Sequence, residues 1–204
     1  MKKKTILFTA LIFTLAFSAC EGTVQNNPPA QNQTGAASTT TQQENGSYIN
    51  AGMYKAGTDL KAGEYLLYSG GSLAYYQISK DSTGSLDSII SNDNFSNTRY
   101  VTVADGQYIE LRDARMLPVS EAKPQQPVNG KYPSGMYKTG RDIKAGEYKA
   151  AADSGQSAYI EVRKSSRGGF DEIVSNDNFT GEKYITVSDG QYLTMNNCSI
   201  AVSG

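Results

Sequence analysis

The chain has 204 residues, with 19 basic and 20 acidic side chains and a formal net charge of −1. This balance argues against a nucleic-acid-binding protein, which would show a basic patch or a high isoelectric point. The sequence contains no histidine, so the commonest metal ligand and the commonest general base at neutral pH are absent. We therefore expect no metal, no cofactor and no nucleic-acid partner.

Residues 1–19 have the organisation of a secretory signal. Three lysines follow Met1, an apolar run interrupted only by threonines extends over Ile6–Phe17, and two small residues precede Cys20. This order of basic, apolar and small residues is typical of a signal peptide that is removed from the mature protein. The apolar run is shorter than the about 20 residues that a membrane-spanning helix needs. We therefore predict cleavage before Cys20.

The cysteine directly after the small residues resembles the lipobox of bacterial lipoproteins, with Phe17 at the position that leucine usually holds. The resemblance implies a diacylglyceryl group on the Cys20 thiol, which anchors the chain to a membrane. Each buried CH₂ group contributes about 0.8 kcal/mol to membrane binding, and stable anchoring generally takes two lipid chains. The alternative is an ordinary signal peptide followed by an incidental cysteine.

Residues 20–47 contain mainly Gln, Asn, Thr, Ser, Ala and Pro, with almost no large apolar side chain. Such a segment cannot bury enough apolar surface to offset the entropy that is lost when a chain becomes ordered. We predict that it is a disordered tether between the lipid and the folded part of the chain.

The remainder of the chain repeats one pattern, first over residues 48–119 and again over residues 132–204. Roughly half of the aligned positions are identical, well above chance for an internal repeat. Residues 120–131, which include two prolines, connect the copies. We therefore predict two tandem modules of one fold. The clearest matches are Ala62–Tyr65 with Ala145–Tyr148, Ser91–Phe95 with Ser175–Phe179, and Tyr100–Ile109 with Tyr184–Leu193.

Short β-rich runs separated by Gly, Asn, Asp and Ser predict a mainly β fold, with two tandem small β-sandwich or barrel-like modules. In the first copy, Gly63–Tyr68 and Ala74–Ile78 are predicted strands. The dipeptide at positions 105–106, Asp-Gly, lies between two alternating runs, which predicts a hairpin whose two-residue turn pairs Val103 with Tyr108.

One short helix of about two turns is predicted in each module. Leu86, Ile89 and Ile90 have the i, i+3, i+4 spacing of a helical face, and Asn92 could cap the end of this helix. Each module has about 70 residues, a size at which only a modest fraction of the surface is buried. We therefore expect the two modules to pack on each other or to share a sheet.

Two polar clusters that recur in the copies are candidate ligand-binding sites. Asp and Asn supply oxygen ligands for Ca²⁺, but a calcium site needs about six to eight oxygens, and no spaced ligand pattern is present. We favour the alternative that these residues cap the predicted helix and form turns. The clusters are Asn92, Asp93 and Asn94, and Asn176, Asp177 and Asn178.

Tyrosine and cysteine provide the other candidates. Tyr68 and Tyr76 are not repeated in the second copy, which favours them as part of a binding surface unique to the first. Acylation of Cys20 leaves Cys198 as the remaining cysteine, so no intramolecular disulfide can form. We expect Cys198 to be a buried small side chain rather than a reactive thiol.

The phrases Ala62–Tyr65, Ser91–Phe95 and Val101–Tyr108 resemble a repeat found in lipoproteins and secreted proteins of Gram-positive bacteria. The resemblance covers about residues 50–119 and 133–202. It implies a lipid-anchored protein on the outer face of the cytoplasmic membrane, and it carries no assigned activity or functional residues.

Three functions remain at this point. The first, which we expect, is a binding or interaction module of the cell envelope, with cell-wall glycan or an envelope protein as the partner. The second is a purely structural spacer without a ligand. The third is an envelope enzyme, which we do not expect because the sequence has no nucleophile elbow, phosphate loop or zinc-ligand spacing.

Overall fold

The computed structural model describes residues 47–202. Alternating apolar and polar side chains in this part of the chain form strands that pair into antiparallel sheets. These residues belong to one compact unit, Gln42–Gly204. The predictions for the signal segment, for the lipid on Cys20 and for most of the tether lie outside the described residues.

The strands divide between two halves of the described chain. The first half contains β1 (Gly52–Lys55), β2 (Gly63–Ser69), β3 (Ala74–Ser79), β4 (Ile89–Phe95), β5 (Thr98–Val103), β6 (Tyr108–Arg112) and β7 (Ala114–Pro118). The second half contains β8 (Lys131–Tyr132), β9 (Gly135–Lys138), β10 (Gly146–Ala152), β11 (Ala158–Arg163), β12 (Ile173–Phe179), β13 (Glu182–Val187), β14 (Tyr192–Asn196) and β15 (Cys198–Ala201).

Each half forms two open antiparallel sheets. In the first half, sheet I has the strand order β1-β6-β3-β4 and sheet II has the order β5-β2-β7. In the second half, sheet III has the order β12-β11-β14-β9 and sheet IV has the order β13-β10-β15-β8. Apart from the short edge strand β8, equivalent strands have the same neighbours in both halves. The prediction of a mainly β fold of small sandwiches is confirmed.

A hydrophobic core lies between the two sheets of each half. Along each strand the inward side chains alternate with outward ones, as expected for a sandwich. The first core includes Tyr65, Leu67, Tyr76, Ile78, Val101, Val103, Ile109, Leu111 and Met116. The second includes Tyr137, Tyr148, Ile160, Val162, Ile185, Leu193, Met195 and Ile200.

The pairing register is also the same in the two halves. Lys55 lies opposite Tyr108 in sheet I, as Lys138 lies opposite Tyr192 in sheet III. Because a shift of one residue would exchange the two faces of a strand, this agreement establishes which positions are equivalent between the halves.

The predicted hairpin at Asp105-Gly106 is wrong. The backbone N–H of Gln107 donates to the carbonyl of Ala104, so these residues do form a turn. Only Gly106 has a positive φ, of 79°, whereas the turn that suits a two-residue hairpin needs positive φ at both central residues. The turn therefore separates β5, which pairs with β2, from β6, which pairs with β1 and β3.

The predicted two-turn helices are also wrong in length. A single 3₁₀ turn, Leu86–Ser88, precedes β4, and its equivalent, Phe170–Glu172, precedes β12. Ile89 already begins a strand, and Leu86 is 83 % exposed, so the expected apolar helical face is not buried. The β-branched isoleucines that follow favour a strand, and β4 obtains its hydrogen bonds from β3.

Candidate binding surface

The outer face of sheet II packs against the outer face of sheet III. Leu66 on β2 and Met136 on β9 are buried there, beside Tyr100 and Tyr192, whose rings meet edge to face at 5.6 Å between centroids. Sheet II thus has apolar contacts on both of its faces. The two halves pack on each other, as we expected from the small size of each module.

Glu64 on β2 is the centre of a polar cluster in this interface. Its Oε2 atom lies 2.7 Å from Nζ of Lys138, and Ser166 donates a 2.7 Å hydrogen bond to Oε1. The hydroxyl of Tyr192 also donates to Oε1. The Lys138 ammonium lies 5.1 Å from the centre of the Tyr192 ring. One carboxylate of the first half therefore accepts hydrogen bonds from three side chains of the second.

These contacts set the pKa values of the pair. Burial raises the pKa of Glu64, and the hydrogen bonds from Lys138, Tyr192 and Ser166 lower it by more, so that it lies below its ordinary value. Burial lowers the pKa of Lys138, and its contacts with Glu64 raise it above its ordinary value. Both side chains are therefore charged at neutral pH.

Asp142, in the turn after β9, forms a second cluster between the halves. Its Oδ2 atom accepts hydrogen bonds of 2.7 Å from the hydroxyl of Tyr100 and 2.9 Å from the backbone N–H of Lys138. Its Oδ1 atom lies 2.9 Å from the guanidinium of Arg141 and accepts a 2.9 Å hydrogen bond from the backbone N–H of Gln125. The connector is thereby joined to both halves.

Charged side chains form a third cluster at the edge of the interface. Arg99 on β5 lies 3.2 Å from Asp93 on β4 and donates a 3.2 Å hydrogen bond to Thr194 on β14. Arg163 lies 3.1 Å from Glu161 on β11. Burial raises the pKa of Asp93 above its ordinary value, although the nearby Arg99 lowers it. The predicted candidate Asp93 therefore has a structural partner.

The structure places both Asn-Asp-Asn clusters within strands, β4 and β12, so their interpretation as helix caps and turns is wrong. Asp177 pairs with Lys183 at 2.6 Å, as Asp93 pairs with Arg99. In each half the ion pair joins the edges of the two sheets. This arrangement gives the aspartate that recurs in both copies a structural role.

The asparagines of these clusters lie on the outer side of their strands. Asn92 donates a 3.2 Å hydrogen bond to the hydroxyl of Tyr75, and Asn176 donates a 3.3 Å hydrogen bond to that of Tyr159. Within residues 47–202, no group of three or more His, Cys, Asp or Glu side chains could hold a metal ion. The four asparagines, Asn92, Asn94, Asn176 and Asn178, are exposed.

The two candidate tyrosines do not form an exposed surface. Tyr76 is 3 % exposed and lies in the first core, so the interpretation of this residue as a surface contact is wrong. Its position on β3 faces inward because the strand alternates. Tyr68 is half-buried and packs edge to face against Tyr48, at 5.5 Å between ring centroids.

Cys198 is buried, as expected. Burial, together with the nearby carboxylate of Asp153, raises the pKa of its thiol to about 11. The Sγ atom lies 3.7 Å from the carbonyl oxygen of Tyr159. This environment is that of a structural cysteine, because reactive thiols have lowered pKa values and access to solvent.

The outer face of sheet I is accessible, and we call it the free face. Met53 is 48 % exposed at its edge. The Lys55 ammonium lies 5.5 Å from the centre of the Tyr108 ring, and the Arg112 guanidinium lies 5.3 Å from the centre of the Tyr75 ring. The free face, defined by these five residues, thus presents two tyrosines, each beside a cation.

Sequence reasoning missed the free face. Tyr108 recurs in the second copy, so a comparison of the copies does not mark it as part of a binding surface. The alternation of side chains along a strand could have indicated this face. Lys55 and Tyr108 are next in sequence to the inward-facing residues Tyr54 and Ile109, so they point outward. What the sequence could not supply was the pairing of β6 with β1 and β3, which brings these side chains together.

Residues 126–200 match the family described as Rv1352-like extracellular domain, a match that covers less than half of the chain. Comparisons with curated proteins and with solved structures found no match. Among the described residues, no helix is long and apolar enough to cross a membrane. The family match indicates an extracellular domain, which agrees with the surface location that the sequence predicts.

Proposed function

We propose that the protein is a binding module of the cell envelope, anchored through lipid on Cys20 to the outer face of the cytoplasmic membrane. In this proposal, residues 20–47 are the tether and the free face of sheet I contacts another envelope component. The observation that carries the proposal is that the equivalent face in the second half, on sheet III, is covered by sheet II of the same chain.

The residues of the free face support this function. Tyrosine, methionine and arginine are enriched in the centres of protein interfaces, and the face has all three in Met53, Tyr75, Tyr108 and Arg112. The rings are partly exposed, and each has a cation near its face. Such a surface can bury aromatic area against a partner.

The packing of sheet III supports this function, because sheet III has an equivalent face that is covered within the chain. Met136, Lys138 and Tyr192 are the equivalents of Met53, Lys55 and Tyr108, and they receive Leu66, Glu64 and Tyr100 of the first half. The chemistry that this face recognises is therefore a carboxylate beside a tyrosine and an apolar side chain. A spacer without a ligand has no need of this combination on an exposed surface.

Catalysis has less support. Glu64 and Asp142 make hydrogen bonds or ion pairs in the interface between the halves, and Glu161 pairs with Arg163 on its own strand. A glycosidase or a hydrolase needs carboxylates that face a substrate cleft. The three carboxylates are instead paired with neighbouring side chains of the protein.

Protection of the free face on intact cells tests the proposal. We expect a Met53→Cys variant to react readily with a bulky maleimide as a purified, dilute protein, and at least about tenfold more slowly on cells that display it, because a bound partner excludes the reagent. Leu73→Cys is the matched control, since Leu73 is 59 % exposed but lies in the loop before β3.

The native thiols do not interfere with this measurement, because Cys198 is buried and Cys20 carries lipid in the proposal. Equal labelling of the Met53→Cys variant on cells and in solution, with the Leu73→Cys control also unchanged, would show that nothing occupies the free face.

A further inference from the structure

We propose that the component bound to the free face is a second copy of this chain, which docks through the outer face of its sheet IV. This inference rests on the proposed function above. Sheet IV is the equivalent of sheet II, and sheet I is the equivalent of sheet III. The contact between sheets II and III within one chain therefore has a counterpart between sheet IV of one copy and sheet I of the next.

Every member of the Glu64 cluster has an identical residue at the equivalent position. Glu64 and Tyr192, which meet inside the chain, correspond to more exposed residues in the other half, whereas Lys138 and its equivalent are both half-buried. The hydrogen-bonding pair of Thr102 and Ser166, 2.7 Å apart, is likewise repeated. The equivalents are Glu147 and Thr186 on sheet IV, and Lys55, Tyr108 and Ser82 beside or on sheet I.

The tyrosine at the centre of the internal interface is repeated in the same way. Tyr100 is 1 % exposed and donates a hydrogen bond to Asp142. Its equivalent, Tyr184, is 63 % exposed on sheet IV, and the equivalent of Asp142 is Asp59 in the turn after β1. A large aromatic side chain is thus held in solvent at the position where its counterpart is buried.

The two exposed faces have opposite charges at the positions equivalent to Glu64 and Lys138. Glu147 is exposed on sheet IV, and Lys55 lies on the free face of sheet I. If sheet IV docks on sheet I as sheet II docks on sheet III, Glu147 meets Lys55 and Tyr108, and Tyr184 meets Asp59. The ion pair between Glu64 and Lys138, at 2.7 Å, shows the geometry that we expect for the contact between Glu147 and Lys55.

The apolar part of the interface is not repeated, which makes the association weak. Lys149 occupies the position of Leu66 and forms a 2.6 Å ion pair with Glu182, which occupies the position of Thr98. Ala201 replaces Leu117. The internal interface is therefore permanent, whereas the intermolecular one is reversible and is favoured by the high local concentration of chains tethered to one membrane.

This contact joins two different surfaces, so the assembly is head-to-tail. Such heterologous contacts build rings when the rotation closes and open chains when it does not. An open chain of copies always has one unused sheet I face at one end and one unused sheet IV face at the other until a ring closes. Blocking either face must therefore stop growth, and this property distinguishes the proposal from a symmetric dimer.

Sedimentation equilibrium of residues 21–204, which contain the whole compact unit, tests the inference. We expect the weight-average mass to rise as the protein concentration approaches about 1 mM, the range of weak association. Tyr184→Ala and Tyr108→Ala should each lower the association constant at least about tenfold, because tyrosines at interface centres dominate binding. Leu73→Ala is the control and should associate like the unmodified chain.

An equimolar mixture of the two tyrosine variants gives the decisive result. Each variant retains one intact face, so the mixture should form dimers but nothing larger. Mass that never exceeds the monomer for the unmodified chain, or variants that associate as strongly as it does, would overturn the inference. Circular dichroism should show that both variants are folded, because Tyr184 is exposed and Tyr108 is half-buried.

The labelling experiment on cells separates the failure of this inference from that of the proposed function. If the second copy is the partner, adding Tyr184→Ala to the Met53→Cys variant restores full labelling on cells. If protection persists, another component covers the free face, so the proposed function holds and the self-association fails. If the Met53→Cys variant was never protected, both fail.

Discussion

The Nζ atom of Lys138 lies 2.7 Å from Oε2 of Glu64, and this ion pair joins the two halves of the chain. Both side chains are largely shielded from solvent, and Tyr192 and Ser166 complete the hydrogen bonding of the carboxylate. An exposed ion pair in sheet IV, between Lys149 and Glu182, offers an internal comparison.

Lys138→Met should destabilise the protein by about 2 kcal/mol, less than the about 3–5 kcal/mol lost when one partner of a fully buried pair is removed. The substitution keeps the apolar stem and leaves Glu64 charged without its cation. Urea unfolding measures this loss as a lower midpoint with an unchanged slope.

Lys149→Met is the matched control for this prediction. Its pair with Glu182 has side-chain exposures of 47 % and 59 %, and exposed ion pairs contribute little to stability, so the loss should be much smaller. Equal losses for the two variants would contradict the distinction between the interface pair and the surface pair.

The lowered pKa of Glu64 predicts how the stability of the protein changes with pH. Its pKa in the folded protein lies below the ordinary value of 4.5, since its hydrogen bonds outweigh burial. The stability that it contributes is therefore complete above about pH 4.5 and is lost as the pH falls through the folded pKa. Glu64→Gln should be less stable at pH 7 and should lose less stability than the unmodified chain between pH 5 and about pH 3.

Asp93 acts in the opposite direction. Its pKa is raised by burial, so its charge opposes folding at neutral pH and protonation relieves that cost as the pH falls. Asp93→Asn should therefore steepen the loss of stability in acid, relative to the unmodified chain. Denaturation curves at several pH values measure the stability of both variants. If the stability of Glu64→Gln falls as steeply with pH as that of the unmodified chain, the lowered pKa of Glu64 would be contradicted.

Much of the fold could be predicted from local patterns. The strands Gly63–Ser69 and Ala74–Ser79 lie where alternation and turn residues indicate them, because those signals act within a few residues. The pairing of strands could not be predicted in the same way. Whether Asp105-Gly106 closes a hairpin depends on the φ of Asp105 and on competition from β1, β2 and β3 for the same edges.

The candidate site shows the same limit. Asp93 and Asp177 were correctly recognised as recurrent, but their partners, Arg99 and Lys183, lie on another strand that the sequence does not connect to them. Tyr76 was selected because it differs between the copies. It is buried because its strand places it on the inner side, and periodicity alone does not tell which face is inner when both faces carry apolar residues.

Calcium should leave the thermal midpoint unchanged. Asp93 and Asp177 already have cationic partners at 3.2 Å and 2.6 Å, so a metal ion would have to displace Arg99 or Lys183. A ligand at 100 times its dissociation constant adds about 2.7 kcal/mol to stability, which is several degrees in the midpoint. Melts of residues 21–204 with calcium and with a chelator should therefore coincide, and a shift of several degrees would restore the calcium interpretation.

Cys198 should be unreactive in the folded protein. Its thiol is buried and its pKa is raised to about 11, so little thiolate is present at pH 8 and the reagent has no access. We expect labelling by a thiol reagent to follow global unfolding, with the same denaturant midpoint as circular dichroism. Rapid labelling in the absence of denaturant would contradict this expectation.

The second half by itself provides the strictest test of the interface. In residues 132–204 alone, Met136, Tyr192 and Lys138 lose the cover of sheet II, and the isolated sandwich has about 70 residues, a size at which domains are marginal. We expect this fragment to be less stable than the complete compact unit and to self-associate through the uncovered face of sheet III. Met136→Glu should make the fragment monomeric without restoring its stability, because it removes the exposed apolar surface but not the missing partner. A fragment that is monomeric and as stable as the complete unit would show that the interface, including the contact between Glu64 and Lys138, does not stabilise the second half.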